Sequence, residues 1–449
     1  MRTWARHSGC DPAVIPVILV VLATCLSTGS AGALASDWAE LPLARDARLV
    51  HVAPEGNPRT ANGTALRPYR SIERAKRQVR HRSADRLLIR AGSVWHTSLG
   101  RWLKSGRSAT EPMVIGVYGE GPRPVFNTGD VAGILNVSPR TTVSHLVIRG
   151  IELRSGPHPN QAAYGMLWRT RLDDVLFEDV LIAGYRVNVN IETASKREST
   201  GVRFNRCIVL DSYSTSSHSQ GMFLKGVRGM VIDECVLDHN GWRDQPADAR
   251  PTKFCHNIYG TRSNPQLTIR GSLLSRASSH AFTCRDGVIV GNLLIGNSIA
   301  SSAQGRTRLE DNVVLAASRK LVFGDRHNPE TGGERGWGFQ MNESTRATGN
   351  IVAFTPGGRF PLKGIARQWR PENIVHEWGE MTDPGERPGA AQVGAFDWSG
   401  IVEAHRRRPR GQWPEGIAPA RLVAWVQESF SSGTPPLPAP DNDPVELQR

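Results

Sequence analysis

From about residue 143 the chain restates one short phrase, apolar–x–apolar–x–x–turn residue–x–apolar. It reads "LVIRGIEL", "VLFEDVLI", "VRFNRCIVL", "MVIDECVL", "LTIRGSLL", "VIVGNLLI", "RLEDNVVL" and "RATGNIVA" in turn. Each phrase predicts one or two short strands, because β-branched residues at period two are interrupted by Gly, Asn, Asp or Ser before a helical apolar face can build. Aligned on Ile151, Val180, Cys207, Cys235, Ser272, Asn292, Asn312 and Asn350, the phrases recur at spacings of 29, 27, 28, 37, 20, 20 and 38 residues. Such a period, with loops inserted, is that of a solenoid. A single coil cannot bury its apolar face alone, so neighbouring coils stack ~4.8 Å apart around one core. The expected fold is all-β, a right-handed parallel β-helix, with Asn292, Asn312 and Asn350 forming a turn ladder. A β-propeller would need four strands per ~40 residues and a Gly/aromatic signature that this chain lacks. Cys207 and Cys235 hold the same phrase position, which suits either a disulfide, with Cα atoms ~4.4–6.8 Å apart, or two small residues stacked inside the coil.

The flanks complete the solenoid. Residues 36–142 are expected to form an N-terminal cap and the first coils, with a capping helix over "SIERAKRQV" and strands in "DRLLIRAGSVW" and "EPMVIGVYGEGPRPVF". The central coils run over 143–365. A C-terminal coil and cap follow over 366–430, ending in the helical pattern "APARLVAWVQESF", and 431–449 is a Pro-rich tail of disordered composition. Residues 1–35 read as a secretory signal: Arg2 and Arg6, an apolar run, then Ala33-Leu34-Ala35. The run is short for a membrane span and contains Pro16. The expected location is therefore secreted or periplasmic, with no membrane span.

Charge adds a partner class. Of the net charge of +13, the leader carries only one unit, so the remainder suits a polyanion. Export favours an acidic polysaccharide over nucleic acid. Four cysteines remain beyond the leader, Cys207, Cys235, Cys255 and Cys284, with no C-x-x-C pair to suggest zinc. A monomer is expected.

The order "HVAPEGN…NGT…RPYRSIERA…LLIRAGSVW…SGRSATEPMVIGVYGEGPRP", followed by coils with "HNIYG" and "SSHAF", resembles the secreted right-handed β-helix proteins of the pectate-lyase-like superfamily over residues 49–430. The resemblance implies that fold and a bias toward uronate-containing polysaccharides, acted on by lyases, C5-epimerases or hydrolases. It does not fix the reaction, since one fold hosts several chemistries. "VLDHN" lacks the Trp of the pectate-lyase Asp-His segment, and no R-x-P-x-x-R, Asn-Thr-Asp or Asp-Asp string occurs. No catalytic residue is carried over.

Candidate chemistry lies in "SHSQGMFLKG", "CHNIYGTRS" and "SHAFTCRDG". Each has a His followed by a cation: His218 with Lys225, His256 with Arg262, His280 with Arg285. Stacked coils would turn these into a His column and a cation column on one sheet. Elimination at a uronate needs its carboxylate neutralised, a base for the C5 proton and a donor for O4. Lys225, Arg262 and Arg285, or a Ca²⁺ ion, suit the first task, and His218, His256, Tyr259 and His280 the others. No other cofactor is implied. The insertion "DHNGWRDQPADARPTKF" offers His239, Asn240, Trp242 and Arg243 for a sugar-binding wall. Asn188, Asn190 and Glu192 either extend the groove, bind Ca²⁺ or belong to a turn ladder.

The leading reading is a lyase or C5-epimerase of an acidic polysaccharide. A glycoside hydrolase would instead need two carboxylates ~5–9.5 Å apart, from Asp211, Asp238 and Asp244. A non-catalytic glycan-binding protein is the third class.

Overall fold

The computed structural model describes residues 38–156, 163–194, 197–315, 337–355, 360–363, 372–378 and 387–432. The leader expected over 1–35 and the tail beyond 432 lie outside these. Each coil contributes one strand to each of three sheets in the same order. One coil runs through Ser199–Asn205, Ile208–Leu210 and Gln220–Lys225; the next through Val231–Asp233, Val236–Asp238 and His256–Gly260; a third through Thr268–Arg270, Leu273–Ser275 and His280–Arg285. These are sheets A, B and C, and neighbouring strands pair in parallel through each. The chain is a parallel β-helix.

The corners explain the phrase. Asp179, Arg206, Glu234 and Asp311 are left-handed, with φ of 56°, 51°, 47° and 51°, each one residue before an aligned position. Five residues on, Gly184, Asp211 and His239 are left-handed again, at 81°, 55° and 55°. Two such bends bracket the three-residue strands of sheet B. Asp, Asn and Gly tolerate this region best, which is why turn residues punctuate the pattern.

The aligned positions form one hydrogen-bonded column at the corner between sheets A and B. The backbone N–H of Cys207 points to Cys235 Sγ (3.4 Å), that of Cys235 donates to Ser272 Oγ (3.0 Å), and that of Ser272 to Asn292 Oδ1 (3.0 Å). Asn292, Asn312 and Asn350 continue it to Asn312, Asn350 and Asn373 at 3.1, 3.0 and 2.8 Å. The expected Asn ladder is present, and it is longer than three residues. Cys207 and Cys235 are buried thiols stacked in that column without a disulfide between them, and Cys255 and Cys284 are buried elsewhere; of the two readings of the pair, stacking holds.

Inside, Phe177 stacks on Phe204 of the next coil with ring centroids 4.5 Å apart, and Trp168 lies tilted against Phe177 at 6.3 Å. The N-terminal helix α1 (Ile72–Gln78) begins at Ser71, whose hydroxyl accepts from Arg74 N, and buries Ile72 and Ala75 beside the strand Leu49–Val52. The C-terminal cap comprises α2 (Ala390–Ala395), α3 (Trp398–Arg406) and α4 (Pro419–Ser432). It lies along the outer face of sheet B, where Leu210, Val236, Leu293 and Leu315 pack with Ile401, Leu422, Trp425 and Phe430. On sheet A, Ala39 and Leu41 cover Val114, Val147 and Leu176. The sequence-predicted residues His256, Tyr259 and His280 lie in strands of sheet C.

Candidate functional site

Register brings the central residues together. Gln220 pairs with His256, Phe223 with Tyr259, and Tyr259 with Thr283. Asn257 and Ile258 are both buried within the strand His256–Gly260, and the rings of His256 and Tyr259 meet on one side of it although three residues apart. Their rings lie 4.9 Å apart; His256 stacks on His280 at 5.0 Å, and Tyr259 on Phe223 at 5.7 Å. Tyr259, which its sequence left open between core and surface, is a half-buried residue of the outer face.

His218 departs from the expected His column. Each of the other two precedes an inward residue by two positions, His256 before Ile258 and His280 before Phe282, whereas His218 lies four before Met222. Gln220 takes the column position, and His218 sits exposed in the preceding loop with its ring 5.0 Å from Phe254. Arg262 is likewise one residue late: Thr261 occupies the row between Lys225 and Arg285, and Arg262 lies exposed in the turn that follows. Lys225 and Arg285 do hold that row, on the coils either side of Tyr259. Lys225 meets Glu192 at 3.0 Å and Arg285 is 3.7 Å from Asp286. Their side chains are 48% and 42% exposed, so these surface pairs hold them weakly.

The insertion contributes less than its composition suggested. Asn240 is fully buried in a second ladder, donating to Val209 O and Asn257 Oδ1 and accepting from Asn188 Nδ2, which removes it, and Asn188, from sugar binding. His239 is a left-handed turn residue held by Asp211 at 2.8 Å and edge-on to Trp242, whose Nε1 donates to Arg276 O. Both belong to the sheet B side, next to α3, rather than to the groove. Arg243 lies over the Tyr213 ring at 4.5 Å, joining the loops that precede the two sheet C strands.

The acids are committed too. Asp211 is bound by Arg406 (2.9 Å) and His239; burial opposes its charge, yet these partners hold its pKa below the usual carboxylate value. Asp238 is fully buried between Arg276, Arg406 and Ser275. Asp244 alone of the three is exposed. Among the described residues no three His, Cys, Asp or Glu side chains cluster as metal ligands, and Glu192 already serves Lys225 and Arg169. That donor set does not fit Ca²⁺, which takes six to eight oxygens.

Sequence reasoning missed Gln220, whose role lies in its bonds. Its Oε1 accepts from the backbone N–H of His256 (2.8 Å) and faces His256 Nδ1 (3.1 Å), while its Nε2 donates to Phe254 O (2.7 Å). The backbone N–H is a donor and Phe254 O an acceptor, so the amide orientation is fixed and Nδ1 carries the imidazole proton. Nε2 is left with its lone pair. Burial first, then the neighbouring His280 and His218, hold the pKa of His256 well below the usual histidine value. The site thus contains a neutral imidazole in one tautomer, a phenol against it, an aromatic platform and two flanking cations. Phe223 was visible as the Tyr259 equivalent once "QGMFLK" and "HNIYG" are aligned on their inward residues.

No family model and no curated protein matches the chain. Among solved structures it is similar to a lacto-N-biosidase from Eubacterium ramulus (TM-score 0.43, 11% identity, covering 74% of this chain and 67% of that one). It is also similar to a rhamnogalacturonan lyase (0.41, 13%, 76% and 90%) and to a pectate lyase (0.43, 13%, 78% and 85%). No residue assignment passes from chains this distant. Among the described residues no helix is long and apolar enough to cross a membrane.

Proposed function

We propose that this chain is an exported carbohydrate-active enzyme, a lyase or C5-epimerase of an acidic polysaccharide, working on the outer face of sheet C. The observation that carries the reading is the neutral His256, fixed by Gln220 with Nε2 unprotonated, beside Tyr259. His256 is only 5% exposed, so a sugar reaches it only when seated against Tyr259 and Phe223. Exclusion of water there keeps the imidazole neutral, with its lone pair available to take a proton.

In the proposed reaction His256 Nε2 removes the C5 proton of a uronate, becoming an imidazolium, and Lys225 and Arg285 neutralise the carboxylate that takes up the electron pair. The Tyr259 hydroxyl then protonates O4 as the C4–O4 bond breaks, leaving a C4=C5 double bond and a shortened chain. Returning a proton to C5 from the opposite face gives the epimer instead. The commitment of Asp211 and Asp238 to arginines supports proton abstraction over hydrolysis.

The test is Tyr259→Phe, which deletes one hydroxyl from a half-exposed ring. With alginate, pectate, glucuronan and glycosaminoglycans as substrates, ultraviolet absorbance of the unsaturated uronate reports elimination and C5 exchange with solvent reports epimerisation. Turnover should fall by ~10²- to 10⁴-fold, the usual contribution of a positioned acid or base, with binding kept. An unchanged rate in both assays would overturn the assignment, and activity lost only on exchanging Asp244 would point to hydrolysis.

A further inference from the structure

At the C-terminal ends of three successive sheet C strands lies an open cavity of about 250 Å³ lined by Arg169, Thr170, Arg171, Glu192, Arg197 and Lys225, among others. Its position follows from register. Trp168 pairs with Ile191 and Ile191 with Leu224, so Arg169, Glu192 and Lys225, each one residue on, occupy one row across neighbouring coils. This is the same row that continues to Thr261 and Arg285 beside Tyr259. Lys225 belongs to both places: at ~3.3 Å per residue and ~4.8 Å per strand its Cα is roughly 8 Å from that of Tyr259.

The lining is unbalanced in charge. Four of these side chains are cationic and one is acidic, and Glu192 is shared between Lys225 at 3.0 Å and Arg169 at 3.5 Å. Arg197 spends its guanidinium on neutral oxygens, Pro139 O at 3.0 Å and Thr142 Oγ1 at 3.3 Å. Arg171 reaches Asp173 only at 3.6 Å, and its buried Nε–H has no hydrogen-bond acceptor among the described residues. A buried donor without a partner costs free energy that an oxyanion would recover. A guanidinium also offers two parallel N–H donors to a pair of oxygens of one carboxylate or sulfate ester, which an ammonium does not.

We propose that this cavity is an anion subsite which binds a charged substituent of the same glycan, one to three sugar units from the ring that lies over Tyr259. The inference rests on sheet C being the glycan-binding face, but not on the chemistry assigned to His256 and Tyr259. Uronate carboxylates and sulfate esters present the same kind of oxyanion, and the experiment separates them.

Affinities of the full chain would be measured by calorimetry for a (1→4)-linked galacturonate hexamer and disaccharide, a carrageenan hexasaccharide carrying only sulfate, and inorganic sulfate. Arg171→Ala and Arg197→Ala should each weaken binding of an anionic hexamer by roughly five- to thirty-fold at low salt, less at high salt, and leave the disaccharide unchanged. Loss confined to one hexamer identifies carboxylate or sulfate as the group recognised. Arg171→Lys should recover part of the affinity, and unchanged melting temperatures would exclude misfolding. Tyr259→Phe should keep hexamer affinity, so a failed catalytic assignment leaves this result standing. Equal hexamer affinities for parent and both Ala variants, or tight binding of inorganic sulfate alone, would overturn the subsite.

Discussion

Gln220 holds His256 twice through a single oxygen, which accepts the backbone N–H at 2.8 Å and Nδ1–H at 3.1 Å. The glutamine amide cannot turn over without placing its NH₂ against that backbone N–H and losing the bond to Phe254 O. The imidazole is therefore expected as the Nδ1–H tautomer alone. Long-range ¹⁵N–¹H spectra of the ring should show a bare Nε2 in the parent and a mixture of tautomers in Gln220→Leu. A parent ring protonated at Nε2 would refute the arrangement.

The pH profile follows from the same histidine. Burial and the adjacent imidazoles depress its pKa, so the basic form persists below the ordinary histidine midpoint of ~6.5. The acid limb of kcat/KM should fall below pH 6.5. His280→Ala removes a like charge and uncovers the ring, and both effects raise the pKa of His256, so the limb should move up toward 6.5. A limb at or above 6.5 in the parent would remove His256 as the base.

Much of this fold is legible in the chain, and the reasons are local. The ladder positions from Cys207 to Asn350 could be aligned because left-handed bends recur five residues apart and restrict which side chains fit. The cover over sheet B was also written in the sequence: "CIVL" and "NLLI" are apolar on both faces, as strands buried on both sides are. The site was harder to read. Three histidines in similar phrases look equivalent by spacing from the next cation, but orientation is set by the inward residues Met222, Ile258 and Phe282, which places Gln220 and not His218 in the column. Asn240 and His239 were misplaced for a related reason. A corner residue and a loop residue have the same composition, and only backbone conformation separates them.

Another histidine ties stability to pH. His405, on α3, donates from Nε2 to Ile417 O at 2.9 Å, and its buried Nδ1 has no partner among the described residues. Burial, with Arg408 nearby, lowers its pKa to about 4. The folded state thus binds this proton less readily than the unfolded state. Its contribution is fully present above pH ~6.5 and is lost as pH falls toward 4, by about 3 kcal/mol in all. Urea unfolding should show stability declining over that window, and His405→Gln, which can still donate to Ile417 O, should flatten the slope. An equal slope in the variant would show that other groups govern acid lability.

Asp179 anchors the segment that joins α3 to α4 across the coils. Its carboxylate accepts from Arg408 Nη1 at 3.0 Å and Gly411 N at 2.8 Å and also pairs with Arg123, while Arg408 bonds the backbone oxygen of Arg206. All three charged side chains are buried. Two guanidinium groups therefore share one buried anion, and removing it leaves both uncompensated. Asp179 is left-handed at φ 56°, a conformation Asn also tolerates, so Asp179→Asn removes the charge while keeping the turn. The expected loss is about 3–5 kcal/mol in urea unfolding, as for other buried pairs broken on one side. Trypsin should then cut faster between Arg406 and Arg410, since this carboxylate is one of the groups that hold the segment down, beside the bonds of Arg406 to Asp211 and Asp238 and of Arg410 to Gly119 O and Gly121 O. Adding Arg408→Gln to Asp179→Asn should restore part of the stability, because it removes one of the stranded charges. A loss below about 1 kcal/mol in the single variant would mean that solvent reaches the cluster and that this carboxylate does not anchor the segment.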